Sequence, residues 1–197
     1  MDQLIASCGK MLATALQILK ETGMRIGEAH KLKWIDMNLI NKTVNITPEK
    51  GSNPRILPIS DKLIAMLNSL QKEREYILPK NQGTFRSNFN GQRIRTAEKL
   101  QNPRIRKISF HTLRHWKGTM EYHKTKDIVH VKYMLGHKEI KVTMIYINIE
   151  QATFLADTDE WNSKVSHDLN EEQKLIESGY QLVRAINETT AIYKKRK

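Results

Sequence analysis

Residues 108–146 read ISFHTLRHWKGTMEYHKTKDIVHVKYMLGHKEIKVTMIY, and the class of the fold is decided there. The spacing predicts three helices, over His111–Tyr122, Asp127–Leu135 and Glu139–Ile147. The first puts His111 and Arg114 three residues apart, on one helix face. Leu135-Gly136-His137 follows, and Tyr146 stands nine residues after His137. Upstream, Phe85–Leu100 reads as one more helix, strongly basic.

Working outward, Leu4, Met11, Leu12, Ala15, Leu16 and Leu19 recur at helical spacing, and Thr22-Gly23 ends that run. Ile26–Lys33 predicts a second short helix. Thr43–Thr47 and Arg55–Ile59 are β-prone and flank a turn-rich loop, 48–54, with Lys50 near its tip. Ser60 caps a helix carrying Leu63, Ile64, Met66, Leu67 and Leu70. The tail offers a helix around Glu171–Ser178. Two extended runs, Tyr180–Ile186 and Thr190–Tyr193, then flank Asn187-Glu188. The expected class is mainly α with one small antiparallel sheet (α+β). Trp34 and Trp116 are expected in its core.

Composition narrows the partners. The 197 residues are 39% apolar and 27% charged, enough to bury a core and too apolar for disorder. One cysteine, Cys8, excludes a disulfide framework and a cysteine-rich zinc module. No apolar run reaches a membrane-spanning length and no signal peptide is legible, so an intracellular protein is expected. Net charge is +12, and it is unevenly placed. Residues 1–150 hold 26 basic against 13 acidic residues, whereas 151–197 hold 7 against 8. The densest stretch includes Arg86, Arg93, Arg95, Arg104, Arg106 and Lys107. Such clustering favours a polyanion through counterion release, and a nucleic acid is the expected partner. A membrane surface is disfavoured, because no basic amphipathic helix with an aromatic face is present.

Taken singly, the reactive residues have ordinary explanations. Arg25 and Glu28 fit a surface ion pair, and a hairpin lysine is usually solvated. His111 and His115 stand at metal-ligand spacing, but the glutamate of HExxH is absent. Tyr146, flanked by Met144, Ile145 and Ile147, fits a core or rim position.

Their combination resembles the active-site signature of the tyrosine recombinases, the phage-integrase family. Thr22-Gly23-Met24-Arg25 with Glu28 is similar to the family's first-arginine segment. Lys50-Gly51 with Arg55 and Pro58 is similar to its hairpin lysine segment. His111-Thr112-Leu113-Arg114-His115 matches its H-x-L-R-H box, and Leu135-Gly136-His137 with Tyr146 matches the final box and nucleophile. The resemblance covers about residues 10–150.

It implies the DNA breaking-rejoining fold and a catalytic set of Arg25, Lys50, His111, Arg114, His137 and Tyr146, with Glu28 in support. It also implies double-stranded DNA as the partner, a 3′-phosphotyrosyl intermediate, a homo-oligomer (a tetramer) on that DNA, and a cytoplasmic, nucleoid-associated protein. No metal, cofactor, ATP or small-molecule substrate is implied, and no Walker A loop occurs. Two alternatives stand beside this reading: a type IB topoisomerase-like enzyme and a catalytically silent DNA-binding domain.

The expected organisation is a catalytic domain over 1–150 and a tail over 151–197, either a cap on its own domain or a segment docking on a neighbour. The family's N-terminal core-binding domain is absent by this reading. The tail lacks the positive excess, which speaks against DNA contact by the tail as a whole. Its apolar residues include Phe154, Leu155 and Trp161.

Overall fold

The computed structural model describes residues 1–49, 51–154, 161–187 and 190–196. They fall into two compact units, 1–147 and 148–197. Lys50 and Leu155 lie outside the described residues.

The first unit is built around α2 (Lys10–Thr22), whose Ala15, Leu16, Ile18 and Leu19 are at most 1% exposed. Burying each leucine or isoleucine stabilises the fold by about 1.5–3 kcal/mol relative to leaving it in water. Against α2 pack α4 (Asp61–Asn68), through Leu63 and Leu67, and α6 (Phe110–Thr125), through Leu113. The single N-terminal helix expected from the leucine spacing is two. α1 (Asp2–Ala6) ends at Ser7, whose hydroxyl donates to Leu4 O, and Gly9 starts α2 afresh. Gly23 stops α2 as expected, in the left-handed conformation, with its N–H on Leu19 O. α3 (Ile26–Lys31) follows at once.

The expected hairpin is the larger part of a three-stranded antiparallel sheet, β1 (Met37–Asn38), β2 (Thr43–Ile46) and β3 (Arg55–Pro58), in that order. Val44 pairs with Leu57 and Ile46 with Arg55. This register has one electrostatic consequence. Along β3 the buried positions are Arg55 and Leu57, while Ile56 faces out, 67% exposed. A guanidinium is therefore turned inward where an apolar side chain is the norm. It has to be paired.

α5 (Gln82–Lys99) carries Arg86, Arg93 and Arg95, and the 3-10 turn Pro103–Lys107 carries Arg104, Arg106 and Lys107. Phe85 and Phe89 anchor α5 by stacking on Phe110 of α6. α7 (Ile128–Leu135) ends on Gly136 at φ 71°. The helix expected over Glu139–Ile147 is divided. A 3-10 turn spans Ile140–Val142, and α8 runs Ile145–Phe154. The division falls at the β-branched pair Val142 and Thr143, and the Thr143 hydroxyl is engaged by His137. Trp116, expected in the core, is 36% exposed, with the Lys20 ammonium 5.0 Å from its ring centroid. Trp34 is half-buried.

The second unit holds α9 (Leu169–Glu177) and a three-stranded antiparallel sheet of order β4-β6-β5. Its strands are β4 (Trp161–Ser166), β5 (Gln181–Ala185) and β6 (Ala191–Arg196). β5 and β6 are the expected extended runs. β4 carries no period-2 apolar pattern, and its assignment comes from pairing with β6. No helix among the described residues is long and apolar enough to cross a membrane.

Gly136 answers two demands at once. Its φ favours glycine, and a Cβ there would sit 2.6 Å from Arg55 Nη1 and 2.9 Å from Ser52 Oγ. Gly51, at φ 83°, has open space around it. Gly51→Ala should cost about 1–2 kcal/mol of backbone strain alone. Gly136→Ala should cost about 1–3 kcal/mol more, because the clash adds to the strain. Urea denaturation of both variants measures the difference.

Candidate active site

The inward-facing Arg55 finds its partner on α3. Its Nη2 donates to Glu28 Oε2 at 2.7 Å and its Nη1 to Glu28 Oε1 at 3.1 Å. Both side chains are almost wholly buried, at 5% and 0% exposure. Arg55 Nε donates to Met134 O, so the same guanidinium also holds the end of α7. Burial pushes the Glu28 carboxyl up. The Arg55 hydrogen bonds and the Arg25 backbone N–H outweigh it and hold the group below the usual carboxylate range. Glu28 thus faces Arg55 first. Its contact with the Arg25 side chain is the longer one, 3.8 Å. The ion pair expected of Arg25 and Glu28 is therefore mainly a backbone contact, with Arg25 N–H on Glu28 Oε2 at 2.8 Å.

Arg114 is fixed by two carbonyls. Nη1 donates to Gly23 O at 2.6 Å and Nη2 to Leu135 O at 2.9 Å. A guanidinium has five donors, so three remain. Burial, then the neighbouring Arg25 charge, lowers its pKa to about 10, and it stays cationic at neutral pH. Arg25 Nη1 is buried and has no hydrogen-bond partner. Two cations close enough to perturb each other, one with an unused buried donor, form a receptor for an anion.

His137 lies 6% exposed beside them. Its Nδ1 meets Thr143 Oγ1 at 2.9 Å. Burial first, then the charges of Arg114 and Arg25, pull its pKa to about 4, so it is neutral at pH 7. For Nε2 to donate to a phosphate, the Thr143 hydroxyl must donate to Nδ1. The hairpin loop is tied to the same turn. Asn53 N–H donates to Gly136 O at 2.9 Å, and Ser52 Oγ donates to that carbonyl at 3.2 Å.

The Tyr146 ring stacks on His137, with centroids 6.4 Å apart and planes 8° off parallel. Its other neighbours are His115, at 5.8 Å, and Gly118. A Cβ on Gly118 would come within 2.6 Å of the ring, so that glycine makes the seat. Tyr146 is 1% exposed. Burial raises its phenol above the ordinary value, while Arg114 and Arg25 pull the other way. His111 is exposed, and it lines a cleft of about 170 Å³ with Arg25, Arg86, Glu49 and Arg114.

The fold therefore gathers Arg25, Arg114, His137 and Tyr146, with His111 at the rim. Three features escaped the sequence reading: the Glu28–Arg55 pair, Thr143 and Gly118. A signal existed for the first, since Arg55 sits at an inward position of a β-prone run. Nothing in the sequence alone marked the other two. Of the basic candidates, Arg93 is partly structural. It is half-buried, with Nη1 on Ile108 O at 2.7 Å. Arg106 pairs with Glu98. Arg86, Arg95, Arg104 and Lys107 are exposed.

The phage integrase family matches this chain over residues 1–153. Tyrosine recombinase XerD of Staphylococcus saprophyticus is 28% identical over 149 residues, 71% of this chain and 50% of that protein. The probable integrase/recombinase protein MJ0367 of Methanocaldococcus jannaschii is 28% identical over 151 residues, 71% of this chain and 46% of that one. The chain spans about half the length of the curated relatives it matches. Among solved structures, the catalytic domain of bacteriophage HP1 integrase is similar at TM-score 0.58 and 25% identity, over 79% of this chain and 87% of that one. XerH site-specific recombinase bound to its difH substrate shares the fold at TM-score 0.61 and 24% identity, over 79% and 50%.

Two measurements test the site's electrostatics. Arg55→Met or Glu28→Ala alone should cost about 3–5 kcal/mol, because each leaves a buried charge unpaired, while the double change to Met at both positions should recover part of that loss. The second concerns pH. Unfolded His137 takes a proton near 6.5, and the folded side chain does so only near 4. The unfolded state thus binds more protons in that window, and stability falls as pH drops through it. Urea melts from pH 7 to 4 should show a flatter decline for His137→Gln.

Proposed function

The chain belongs to the phage integrase family, and on that premise we propose that residues 1–150 are the catalytic domain of a site-specific DNA recombinase. The observation that carries this reading is the buried Arg25 Nη1, which no hydrogen bond engages, beside Arg114 and next to the Tyr146–His137 stack. Phosphoryl transfer depends mainly on positioning and on neutralising charge. Two permanently charged guanidiniums suit the non-bridging oxygens of a phosphodiester.

Tyr146 Oη attacks the scissile phosphorus and loses its proton. The bond to the 5′ oxygen breaks, leaving a 3′-phosphotyrosyl link and a free 5′-hydroxyl. Arg25 and Arg114 hold the pentavalent phosphorus, and His137 Nε2 adds a donor. His111 helps to manage the tyrosine proton, and Lys50 protonates the leaving oxygen. A phenol of ordinary pKa near 10 is both nucleophile and leaving group, so the reverse step rejoins the strand without ATP. Tyr146 is covered at 1% exposure, so attack follows a local rearrangement that brings its hydroxyl to the phosphate.

Exposed Arg86, Arg95, Arg104 and Lys107 suit the DNA backbone. Strand exchange by a homotetramer on DNA, in a cytoplasmic, nucleoid-associated protein, completes the proposal. A domain that binds DNA without cutting it would have no use for a tyrosine stacked on a histidine within the electrostatic reach of two arginines.

On a nicked suicide duplex, wild type should form a covalent protein–DNA adduct and Tyr146→Phe none, with DNA affinity nearly unchanged. Adduct from the Phe variant would move the nucleophile elsewhere. Resolution of synthetic four-way junctions, with no supercoil relaxation beyond them, separates a recombinase from a topoisomerase. Lys50→Ala should recover cleavage when sulfur replaces the 5′ leaving oxygen, because a thiolate departs without a proton. Equal impairment on both substrates would make Lys50 a phosphate ligand instead.

A further inference from the structure

The turn that leads into α8 places its side chains against the order that packing alone would choose. Val142 is 56% exposed, and the neighbouring Thr143 is 0% exposed. An apolar group is left in water while a hydroxyl is taken out of it, which is unfavourable unless that hydroxyl is bonded. The backbone gains nothing from the choice, because Thr143 N–H donates to Ile140 O at 2.8 Å whatever the side chain is. The reason therefore lies in the hydroxyl. Among the described residues its one hydrogen bond is the 2.9 Å contact with His137 Nδ1.

His137 is otherwise held by its backbone. Its N–H donates to Lys132 O at 3.0 Å, and its carbonyl accepts from Asn53 Nδ2 at 3.4 Å. Those contacts fix the chain but not the protons of the ring, which are governed by what faces each nitrogen. A hydroxyl carries one proton and two lone pairs. If Thr143 accepted a bond from Nδ1–H, its own proton would be buried with no acceptor. If it donates to Nδ1, only lone pairs go unused. A buried donor without a partner costs more than an acceptor left partly unused, so the second arrangement wins. His137 then carries its proton on Nε2.

We propose that Thr143 is a positioning residue, whose hydroxyl fixes the Nε2–H tautomer of His137 and makes that ring a standing hydrogen-bond donor to the phosphate; the inference rests on the DNA-breaking function proposed above. Such a donor needs no proton transfer before it acts. With a pKa of about 4, His137 is protonated in roughly one molecule in a thousand at pH 7, so the imidazolium is not the working form. A neutral ring donates from one nitrogen only, and Thr143 decides which. Without that hydroxyl the proton is free to sit on Nδ1, and Nε2 then turns a lone pair toward the phosphate oxygens and repels them. The Tyr146 ring stacks parallel to the same imidazole, so turning the His137 ring would also disturb the seat of the nucleophile.

The test uses the full chain. In nitrogen NMR spectra of histidine-labelled protein at pH 7, with the His137 signals identified from His137→Gln, wild type should show a protonated Nε2 and a bare Nδ1. Thr143→Ser should keep that pattern, and Thr143→Val should shift it toward Nδ1–H. On a nicked suicide duplex, Thr143→Val should form covalent adduct about ten-fold more slowly or worse, and Thr143→Ser should recover most of the rate. A merely structural threonine would move the melting temperature and leave the tautomer alone. A wild-type spectrum with Nδ1 protonated overturns the proposal, and it decides even if Thr143→Val fails to fold. A folded Thr143→Val protein that cleaves at the wild-type rate overturns it as well. If the spectrum shows Nε2–H but wild type forms no adduct with any nicked duplex, the catalytic reading fails and takes the phosphate-donor role with it, while the tautomer remains assigned to Thr143.

Discussion

A carboxylate and a guanidinium buried against each other, Glu28 and Arg55, constrain everything around them. The pair exists because β3 must present alternate residues to the core, and its register assigns the inward place to Arg55. Once inside, that side chain reaches Glu28 on α3, Met134 O at the end of α7, and Asn53 O in its own loop. Three pieces of chain that carry reactive residues are thereby set at fixed distances. A buried ion pair of this kind gives little net stability against an apolar replacement; what it supplies here is registration, since misplacing either partner leaves a charge without compensation.

The anion receptor is arranged by that registration. Arg114 is held by the carbonyls of Gly23 and Leu135, the two helix ends next to Arg25 and His137. Helix C-termini carry unpaired carbonyls, and a guanidinium satisfies them while its remaining donors point elsewhere. The same contacts that finish two helices therefore aim a cation. His137 shows the complementary case: it is kept neutral first by burial and then by the cations around it, and it is oriented by Thr143.

Much of this was legible in the sequence, and the limits have physical causes. Helices α2, α4, α6 and α7 follow from apolar periodicity, and Gly23 marks a stop, because those signals act within one turn of chain. The boundary at Thr143 escaped because it depends on a hydrogen bond to His137, six residues back. Arg25 and Glu28 are expected to pair with each other because i, i+3 pairing is a local rule. Arg55 overrides it from 27 residues away. Gly118 was invisible because its reason is the ring of Tyr146, in another helix.

The ties that build the receptor span long stretches of chain: 27 residues for Arg55 to Glu28, 79 for Arg55 to Met134, 84 for Ser52 to Gly136 and 91 for Arg114 to Gly23. Contacts of such separation require closing large loops, and they form after the local helices in folding. A nascent or partly unfolded chain keeps its lysines and arginines, and with them its attraction for polyanions, but not the arrangement that sets Arg25 and Arg114 beside each other near Tyr146. Under the proposed function, strand cutting is thus a late property of the chain, acquired with the last cooperative step. In that reading the long loops act as a safeguard against nicking by immature protein.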